Sequence, residues 1–510
     1  MSKATVQRTA PSATRNSGEI LAPMKTSTMR AISYIAGAWR DGPSAPISIY
    51  NLANLDQEVG ACSQADAAMA KEAMDEAAKA WKSWANTDVG ERLKFLEQVL
   101  ERLERNSERI VRTITLENGK TLRESEMEVA SALRDAHYQL EAVSELEWKV
   151  PVWTPDDEVE SYVRHESLGV FLLVTPWNFP LATILRKLIP ALGFGNTVVC
   201  KPAERTPLTP TLLFEILDEC GIPAGVANLV LGKSSVVGKP LIEHPSLAGI
   251  SFTGSTEVGL EICKKVADCP VRLQMEMGGK NAAVVLEDTD LDAAVDAVVQ
   301  AAFSCAGQWC TSTSRAIVQK SVYLEFTQAL KERVSAIRVG DGTDPNTTMG
   351  PVFSLGQRDR VLSAVETALG EGATLLIGGS SIEEADGKRG WYLEPIVLID
   401  VKPEMTVARE EVFGPLLAVI EAETAEEALA IADGTEYGLS FSVFTRSDEW
   451  AERFVNEIEA GVCHVNLPTA YRSAELPVGG WRQSGRGVPE CGDVQKDFYT
   501  RLKTVYRKHR

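Results

Sequence analysis

The sequence has few residues arranged to hold a metal or a disulfide framework. Its five histidines are isolated and match no metal-ligand spacing such as HExxH, so we expect no metal site. The same isolation gives little support to a Ser-His-Asp hydrolase. Its nine cysteines are odd in number, scattered and without a CxxC pair. Cysteine usage of this kind argues against disulfides and for a reducing compartment. The sequence therefore predicts a cytoplasmic location.

Long apolar runs and excess positive charge are also lacking. The most apolar stretch, residues 169–199, does not reach membrane-spanning length because prolines and the pair Arg186-Lys187 interrupt it. The 52 Lys+Arg against 71 Asp+Glu give a net charge of −19, which disfavours nucleic acid or an anionic membrane as partner. A small anionic substrate stays compatible with this charge, since a local pocket can be basic on an acidic protein. We expect a small-molecule partner.

The pattern along the 510 residues predicts more than one structural unit. Residues 65–137 have helical periodicity, and residues 148–170 alternate like an exposed hairpin. From Gly169 onward, short apolar strands alternate with helices, which is typical of a doubly wound α/β sheet. A second α/β run begins at Asn281, and the C-terminal tail predicts one short strand. Residues 1–28 are expected to form a disordered extension, with a transit peptide as the alternative.

Two familiar nucleotide motifs are incomplete, and a third segment is the better candidate. The GKS at 232–234 lacks the first Walker A glycine, and the GFG at 193–195 lacks the third glycine of GxGxxG. In SFTGSTEVG, Gly254 permits a tight turn after a strand and Ser255 opens a helix, whose N–H groups would meet a pyrophosphate. The alternative is an ordinary strand-to-helix turn.

Polar residues follow two further strands. In KPAE, Lys201 and Glu204 stand at the carboxyl end of a strand, where they would hydrogen-bond ribose hydroxyls; the alternative is a surface ion pair. In TPWNFP, Asn178 is fixed between two prolines and could offer its amide to a developing oxyanion. The alternative there is a Pro-rich loop with asparagine as its turn residue.

Candidate reactive groups lie in two further segments. In LQMEMGGKN, Glu276 stands among methionines and glycines, where apolar surroundings raise a carboxyl pKa and suit a general base; the alternative is an exposed strand edge. In FSCAGQWCTSTSR, we expect the preceding helix to stop at Gly307, with Cys305 as a buried filler in its last turn. Cys310 then lies in a loop beyond the glycine, where backbone N–H groups could stabilise a thiolate.

The motifs TPWNFP, KPAE, FTGSTEVG, EMGGK, GQWCT and EEVFGP occur in the order found in NAD(P)-dependent aldehyde dehydrogenases, which the chain resembles from about residue 30 to its C-terminus. The resemblance implies an α/β fold with a doubly wound Rossmann-like cofactor domain, an α/β catalytic domain and a small β oligomerisation arm. It places the NAD-binding domain at 29–148 and 169–280, the catalytic domain at 281–490, and the arm at 149–168 and 491–510. It also implies a homodimer or homotetramer.

The resemblance further implies roles for single residues. Cys310 would be the nucleophile, Glu276 the general base, and Asn178 the donor to the oxyanion. NAD is the expected cofactor because Glu204 would repel a 2′-phosphate, although Arg205 beside it leaves NADP as an alternative. The residues implied to bind the cofactor are Thr175, Pro176, Trp177, Lys201, Glu204, Gly254, Ser255, Glu411 and Phe413.

The substrate end resembles two subfamilies that oxidise succinate semialdehyde and α-ketoglutarate semialdehyde. Arg186 and Arg472 would bind the distant anionic group, since guanidinium suits a carboxylate; the alternatives are a structural arginine and a solvated loop charge. Trp309 and Thr311, beside Cys310, would line the pocket. Because Trp309 is unusual for these subfamilies, an aromatic or broad-specificity aldehyde dehydrogenase is the alternative function. A non-catalytic binding protein with the same fold is the third hypothesis.

Overall fold

The structure, a computed structural model, describes residues 28–155 and 158–508. The predicted N-terminal extension therefore lies outside the described residues except for Thr28, and so do the last two residues of the predicted arm. Within the described part, the strands are β1 Met29–Ala31, β2 Ser33–Ile35, β3 Ala38–Arg40, β4 Ser44–Asn51, β5 Asn54–Gln64, β6 Lys149–Pro151, β7 Val159–Ser167, β8 Val170–Val174, β9 Thr197–Lys201, β10 Ala227–Leu229, β11 Leu247–Thr253, β12 Arg272–Glu276, β13 Ala282–Val285, β14 Arg315–Gln319, β15 Thr374–Ile377, β16 Ser381–Ala385, β17 Lys388–Leu393, β18 Ile396–Ile399, β19 Leu416–Ala422, β20 Tyr437–Gly438, β21 Ser440–Phe444, β22 Val462–Val465, β23 Trp481–Arg482, β24 Gly485–Gly487 and β25 Thr500–Lys508.

The α-helices of the same residues lie on and between the sheets. They are α1 Ala67–Asn86, α2 Val89–Arg105, α3 Ser107–Asn118, α4 Leu122–Glu145, α5 Ala182–Gly193, α6 Leu208–Glu219, α7 Ser234–Ile242, α8 Thr256–Lys265, α9 Leu291–Phe303, α10 Lys320–Ser335, α11 Leu355–Gly370, α12 Thr406–Arg409, α13 Ala425–Asp433, α14 Asp448–Glu457 and α15 Gln495–Tyr499. None of these described helices is long and apolar enough to cross a membrane.

The first large sheet has eight strands in the order β24-β12-β11-β8-β9-β10-β2-β3. Strands β12 to β10 of this order run parallel, whereas β24, β2 and β3 add antiparallel edges. The neighbours of β8 are β9 on one side and β11 on the other, so the winding of the sheet reverses there. Ligands of open α/β sheets bind at such a switch point, beyond the carboxyl ends of the strands. The predicted doubly wound sheet is therefore present.

The apolar strands of this sheet bury both of their faces. Alternate residues of β8 belong to two different cores: Phe171 and Leu173 pack with α2 to α6, whereas Val170 and Leu172 pack with α1, α7 and α8. Strands covered on both faces have near-continuous apolar sequences, which explains the character of this segment. The register aligns the strand ends, because Val174 lies opposite Lys201. The polar loops that follow the strands consequently meet at one edge.

The second large sheet has seven strands in the order β15-β18-β19-β14-β13-β21-β22, of which only β15 is antiparallel to its neighbour. Helices α9 to α14 contribute to its core, together with the apolar residues of β13, β14 and β19. Strand β14 begins at Arg315, shortly after the segment that contains Cys310. The candidate nucleophile therefore lies just before the amino end of β14.

A smaller three-stranded sheet, β25-β7-β6, joins the two segments assigned to the arm. Strands β7 and β25 pair along their length, from Thr500 opposite Ser167 to Lys508 opposite Val159. The residues before β25 do not belong to this sheet, since Phe498 and Tyr499 are fully buried against Phe171 in the first core. Strand β24 pairs with β12 in the first sheet. The domain boundaries stay predictions.

One local expectation about the cysteine segment is wrong. Helix α9 ends at Phe303, not at Gly307, and a short 3₁₀ turn covers Ser304–Gly307. Inside that turn Cys305 and Ala306 have left-handed backbones, with φ of 52° and 54°. A chain that turns in this way cannot continue the helix, because left-handed residues place their carbonyls off the helix axis. Cys305 is buried as expected, but in a left-handed turn.

Candidate active site

The loop after β8 brings Asn178 beside the cysteine segment. The Asn178 side chain donates from Nδ2 to the carbonyl of Gln308 at 2.9 Å, two residues before Cys310. The backbone carbonyl of Asn178 accepts a hydrogen bond from Lys120 Nζ at 2.7 Å. Asn178 is buried, so both contacts are shielded from water and fix the amide in place. The structure thus joins two segments that are far apart in sequence.

Cys310 lies in the turn before β14, and its backbone is held in place. Asn281 donates from Nδ2 to the Cys310 carbonyl at 2.7 Å and to the Ser312 carbonyl at 2.8 Å. Burial, together with the negative charges of Glu276 and Glu411, raises the pKa of the Cys310 thiol to about 12. A thiol in this setting stays protonated at neutral pH until a base or a nearby cation favours the thiolate.

Glu276 ends β12 and shares a buried acidic pair with Glu490. Burial raises the pKa of Glu276 well above its usual range, and the charge of Glu490 adds to this. For Glu490 burial also disfavours the charge, but Lys187 and Arg186 outweigh it and lower the pKa. Lys187 Nζ binds Glu490 and also donates to Ser251 Oγ at 2.9 Å. The arrangement therefore shifts the pKa values of the two carboxyl groups in opposite directions, up for Glu276 and down for Glu490.

Four residues predicted to bind the cofactor lie at the switch-point cleft of the first sheet. Lys201 is buried at the end of β9, where burial lowers its pKa, and its Nζ contacts the Pro202 carbonyl at 3.3 Å. Glu204 accepts a hydrogen bond from the Ser234 N–H at 2.7 Å. Ser255 caps α8, as expected for that motif. Among the described residues, Thr175 Oγ1 is buried without a hydrogen-bond partner.

The remaining predicted cofactor residues stand where the two large sheets meet. The Glu411 carboxylate accepts the Gly279 N–H at 3.0 Å, and burial raises its pKa. A Cβ at Gly278 would lie 2.4 Å from that carboxylate, so a side chain there would displace the Glu411 carboxylate. Phe413 packs edge-on against Trp177, with ring centroids 5.7 Å apart. Glu411 and Phe413 line one cavity together with Trp309. Pro176 and Gly254, which are also predicted to bind the cofactor, lie just after the ends of β8 and β11 in the first sheet.

The two arginines predicted to bind an anion both contact Asp135 of α4. Arg186 lies 3.5 Å from Asp135 through Nε and 3.3 Å from Glu490 through Nη1. Arg472 pairs with the same Asp135 carboxylate and donates to Ser131 Oγ at 3.2 Å. Both arginines are mostly buried, with side-chain exposures of 18%. Both arginines therefore already form ion pairs within the protein, and their role in binding a substrate stays a prediction.

Aromatic side chains surround the approach to Cys310. Trp309 packs against Phe179, with ring centroids 4.9 Å apart. Lys120 Nζ lies 4.0 Å from the centroid of the same Phe179 ring. The backbone carbonyl of Thr311, next to Cys310, accepts a hydrogen bond from Thr469 Oγ1 at 2.7 Å. The segment around the thiol is consequently bordered by flat apolar surfaces.

Several functional neighbours were missed by the sequence reasoning. Glu490 and Lys187 set the charge around Glu276, and Asp135 pairs both arginines. Glu124 and Glu128 lie one helical turn apart on α4. Glu124 accepts a hydrogen bond from the segment of Cys305, and Glu128 accepts one from the segment that contains Asn178. The spacing of Glu124 after Thr121 is visible in the sequence, because a Thr with Glu three residues later predicts a capping box. Nothing in the local sequence indicated their long-range contacts. In the described residues no group of His, Cys, Asp and Glu could hold a metal ion.

The fold and site are those of an α/β enzyme with a thiol, an amide and a carboxyl gathered at the strand ends. A family model described as the aldehyde dehydrogenase family matches residues 39–505. The chain belongs to this family. The family, the fold and the enzyme class expected from the sequence motifs are thereby confirmed.

Curated relatives and solved structures agree with this assignment. An alpha-ketoglutaric semialdehyde dehydrogenase from Bacillus subtilis is 38% identical over 94% of this chain and 98% of its own length. A 2,5-dioxopentanoate dehydrogenase from Saccharolobus solfataricus is 37% identical over 94% and 99%. The crystal structure of a betaine aldehyde dehydrogenase from Staphylococcus aureus, in complex with NAD+, matches with a TM-score of 0.90 and 33% identity, covering 94% of each chain.

Proposed function

We propose that the protein oxidises an aldehyde with a distant anionic group, such as α-ketoglutarate semialdehyde, to the carboxylic acid with NAD. The observation that carries this proposal is that Asn178 contacts the segment of Cys310 and that the charges of Glu276 and Arg186 act on the Cys310 thiol. Arg186 and Arg472, both mostly buried, share the carboxylate of Asp135. The names of the curated relatives support the same substrate class.

The cleft of the first sheet fits a dinucleotide by its own chemistry. It combines a buried cation at Lys201, an acceptor at Glu204 and a helix start at Ser255, which suit ribose hydroxyls and a pyrophosphate. The unpartnered Thr175 hydroxyl is a further donor in that cleft. Glu204 favours NAD over NADP, since its charge would repel a 2′-phosphate. NAD held there would supply the oxidant, because its nicotinamide ring can take up the hydride whose loss converts a thiohemiacetal into a thioester.

The first step assigned to the chain itself is attack of the Cys310 thiolate on the aldehyde carbonyl. The raised pKa of Cys310 means that its proton must leave before attack, and Glu411 and Glu490 are acceptors at hand besides Glu276. Asn178 Nδ2 carries two hydrogens, and Gln308 uses one of them. The second hydrogen, together with the Cys310 N–H, would stabilise the oxyanion of the thiohemiacetal.

The second step is hydrolysis of the thioester on Cys310. Glu276, whose pKa is raised by burial and by the charge of Glu490, would accept a proton from the attacking water and later release it. Burial serves this role, because a carboxylate removed from water is a stronger base than an exposed one. Release of the acid restores the Cys310 thiol.

A screen for NADH formation tests the proposal. The panel contains four- and five-carbon semialdehydes, sugar-derived and sulfonated aldehydes, and benzaldehydes, each with NAD and with NADP. Cys310→Ala should abolish NADH formation with the best substrate, and full retention would reject the assignment. Arg186→Leu and Arg472→Leu should impair anionic semialdehydes far more than neutral aliphatic aldehydes, whereas an equal effect on both would reject the anion role.

Trp309 supports a second candidate, an aromatic or broad-specificity aldehyde dehydrogenase. Its ring packs at a tilt of 52° against that of Phe179, and the two rings give the segment of the thiol an aromatic surface that suits an aromatic substrate. A preference for benzaldehydes in the same panel would favour this function. Trp309→Ala should then weaken benzaldehyde oxidation and leave semialdehyde oxidation in place.

We further propose that the enzyme works as a homodimer or homotetramer in the cytoplasm. Strand β25 carries exposed apolar side chains at Leu502 and Tyr506, as an arm that pairs with a second copy would. The nine free cysteines suit a reducing compartment. Sedimentation of the full chain, with Leu502→Glu as the variant, tests the assembly.

A further inference from the structure

The backbone just before Cys310 adopts a conformation that must be held in place. Cys305 and Ala306 have φ of 52° and 54°, and Gly307 follows with 66°. For residues with a side chain, the left-handed region costs about 1–2 kcal/mol each. A Cβ at Gly307 would lie 2.2 Å from the Gly414 carbonyl, so the chain also passes close to a neighbouring loop. Such a turn persists only where surrounding contacts fix it.

A chain of hydrogen bonds fixes this turn and leads to Asn178. Glu124 Oε1 accepts the Cys305 N–H at 2.6 Å. The Cys305 carbonyl accepts the Gln308 N–H at 3.1 Å and Gln308 Nε2 at 3.2 Å. Gln308 Oε1 then accepts the Phe353 N–H at 2.8 Å, and the Gln308 carbonyl accepts Asn178 Nδ2 at 2.9 Å. The position of the amide relative to the thiol segment therefore depends on a contact that starts at Glu124.

Glu124 is itself fixed from the opposite side. Its Oε2 accepts the Thr121 N–H at 2.8 Å and the Thr121 hydroxyl at 2.9 Å, which completes a capping box at the start of α4. The side chain is buried, and three hydrogen bonds leave its carboxylate little freedom. One turn later, Glu128 binds Lys120, whose Nζ donates to the Asn178 carbonyl. One end of α4 thus contacts both segments of the site.

We propose that Glu124 is a positioning residue for Cys310: through Cys305 and Gln308 it sets where the thiol stands relative to the Asn178 amide. The proposal rests on the proposed function, in which Cys310 is the nucleophile. Loss of the bond to the Cys305 N–H would let the left-handed turn relax towards an ordinary backbone. A displacement of about 1 Å between reacting groups is enough to slow an enzyme by up to about 100-fold.

Substitutions at Glu124 separate positioning from helix capping. Glu124→Gln keeps an oxygen that reaches the Cys305 N–H but loses an acceptor for Thr121. Glu124→Asp keeps the charge and a capping carboxylate but is one methylene too short to reach Cys305. Thr121→Val weakens the capping box and leaves the Glu124–Cys305 bond, and Glu126→Gln changes an exposed carboxylate on the same helix. These last two variants are the matched controls.

The readouts are the alkylation rate of Cys310 by iodoacetamide across pH, followed by mass spectrometry of its peptide, together with kcat, KM and melting temperature. We expect Glu124→Asp to lower kcat by about ten-fold and to change the alkylation rate by a similar factor, with KM for NAD little changed. Glu124→Gln and Thr121→Val should melt earlier yet keep both rates within about two-fold. Glu126→Gln should behave as the unsubstituted protein.

Either of two results would overturn the proposal. One is a Glu124→Asp variant with unchanged rates; the other is a Thr121→Val or Glu124→Gln variant that loses as much as Glu124→Asp. If Glu124→Asp does not fold, Glu124→Gln carries the test, and a ten-fold loss in that variant contradicts the proposal. Alkylation needs neither NAD nor an aldehyde. Failure of the proposed function would therefore appear as absent NADH formation while the order of alkylation rates remains.

Discussion

The carboxyl groups of Glu276 and Glu490 are close enough that the charge of one raises the pKa of the other. Lys187 and Arg186 bind Glu490 and lower its pKa, whereas burial and the charge of Glu490 raise the pKa of Glu276 at the end of β12. Two acids of the same type thus have pKa values shifted in opposite directions by their surroundings. If Glu276 is the hydrolytic base, Glu490 tunes the pH at which it works.

Substitution of Glu276 by glutamine should separate the two halves of the reaction. Glutamine cannot accept the proton of water, whereas attack by Cys310 and hydride release do not require that proton transfer. We expect a burst of NADH close to one equivalent per site, followed by turnover slowed by about 10²- to 10⁴-fold. Stopped-flow absorbance at high substrate measures both phases. Glu261→Gln, at an exposed position, is the control, and an unslowed steady state would exclude Glu276 as the base.

Replacement of Glu490 by glutamine should move the acidic limb of the kcat profile to lower pH. Activity rises with pH as the base loses its proton, so the limb follows the pKa of Glu276. Removal of the Glu490 charge takes away one cause of the raised pKa and leaves Lys187 and Arg186 to lower it. The measurement is kcat between about pH 5 and 9, with exposed Glu475→Gln as the control. A limb that stays in place or moves to higher pH would contradict this coupling.

The outer frame of this site could be predicted from the sequence because its signals are local. Gly254 and Ser255 lie in a recognisable strand-turn-helix, and Asn178 between two prolines indicates a rigid loop. The left-handed turn at Cys305 could not be predicted, because its N–H bonds the carboxylate of Glu124, which is far away in the chain. An Ala-Phe-Ser-Cys-Ala sequence favours a continued helix, and tertiary contacts override that preference.

The ion pairs of the site could not be predicted from the sequence either, because they also depend on tertiary contacts. Arg186 was expected to be available to a substrate anion, but Glu490 and Asp135 already contact it. A charged residue in one segment does not reveal which opposite charges the fold brings to it. The pairing depends on α4, α5 and the loop before α15 meeting in space.

The shared carboxylate of Asp135 gives a prediction about substrate affinity. A substrate carboxylate must compete with Asp135 for Arg186 and Arg472 if these arginines bind it. Asp135→Asn should therefore lower KM for anionic semialdehydes relative to neutral aldehydes. The same change leaves two mostly buried guanidinium groups poorly paired and should cost about 3 kcal/mol of unfolding free energy. Thermal or denaturant unfolding with NAD present measures the cost.

The control for that experiment is Glu141→Gln, an exposed position on the same helix. A rise in KM for anionic substrates in Asp135→Asn would mean that Asp135 orients the arginines towards the substrate. Equal changes for anionic and neutral aldehydes would remove both arginines from substrate recognition.

The thiol of Cys310 should report its electrostatic surroundings before any substrate binds. Its pKa of about 12 predicts slow alkylation by iodoacetamide at neutral pH, with a rate that rises steeply as the solution becomes alkaline. Glu276→Gln removes one of the negative charges that raise this pKa, so above the pKa of Glu276 the variant should react faster at each pH. The rate is followed by mass spectrometry of the Cys310 peptide, with the buried Cys200 as an internal control because burial raises its thiol pKa to about 12 as well. Rapid alkylation of unsubstituted Cys310 at neutral pH, or a slower reaction in Glu276→Gln, would show that the charges around the thiol act in the opposite direction.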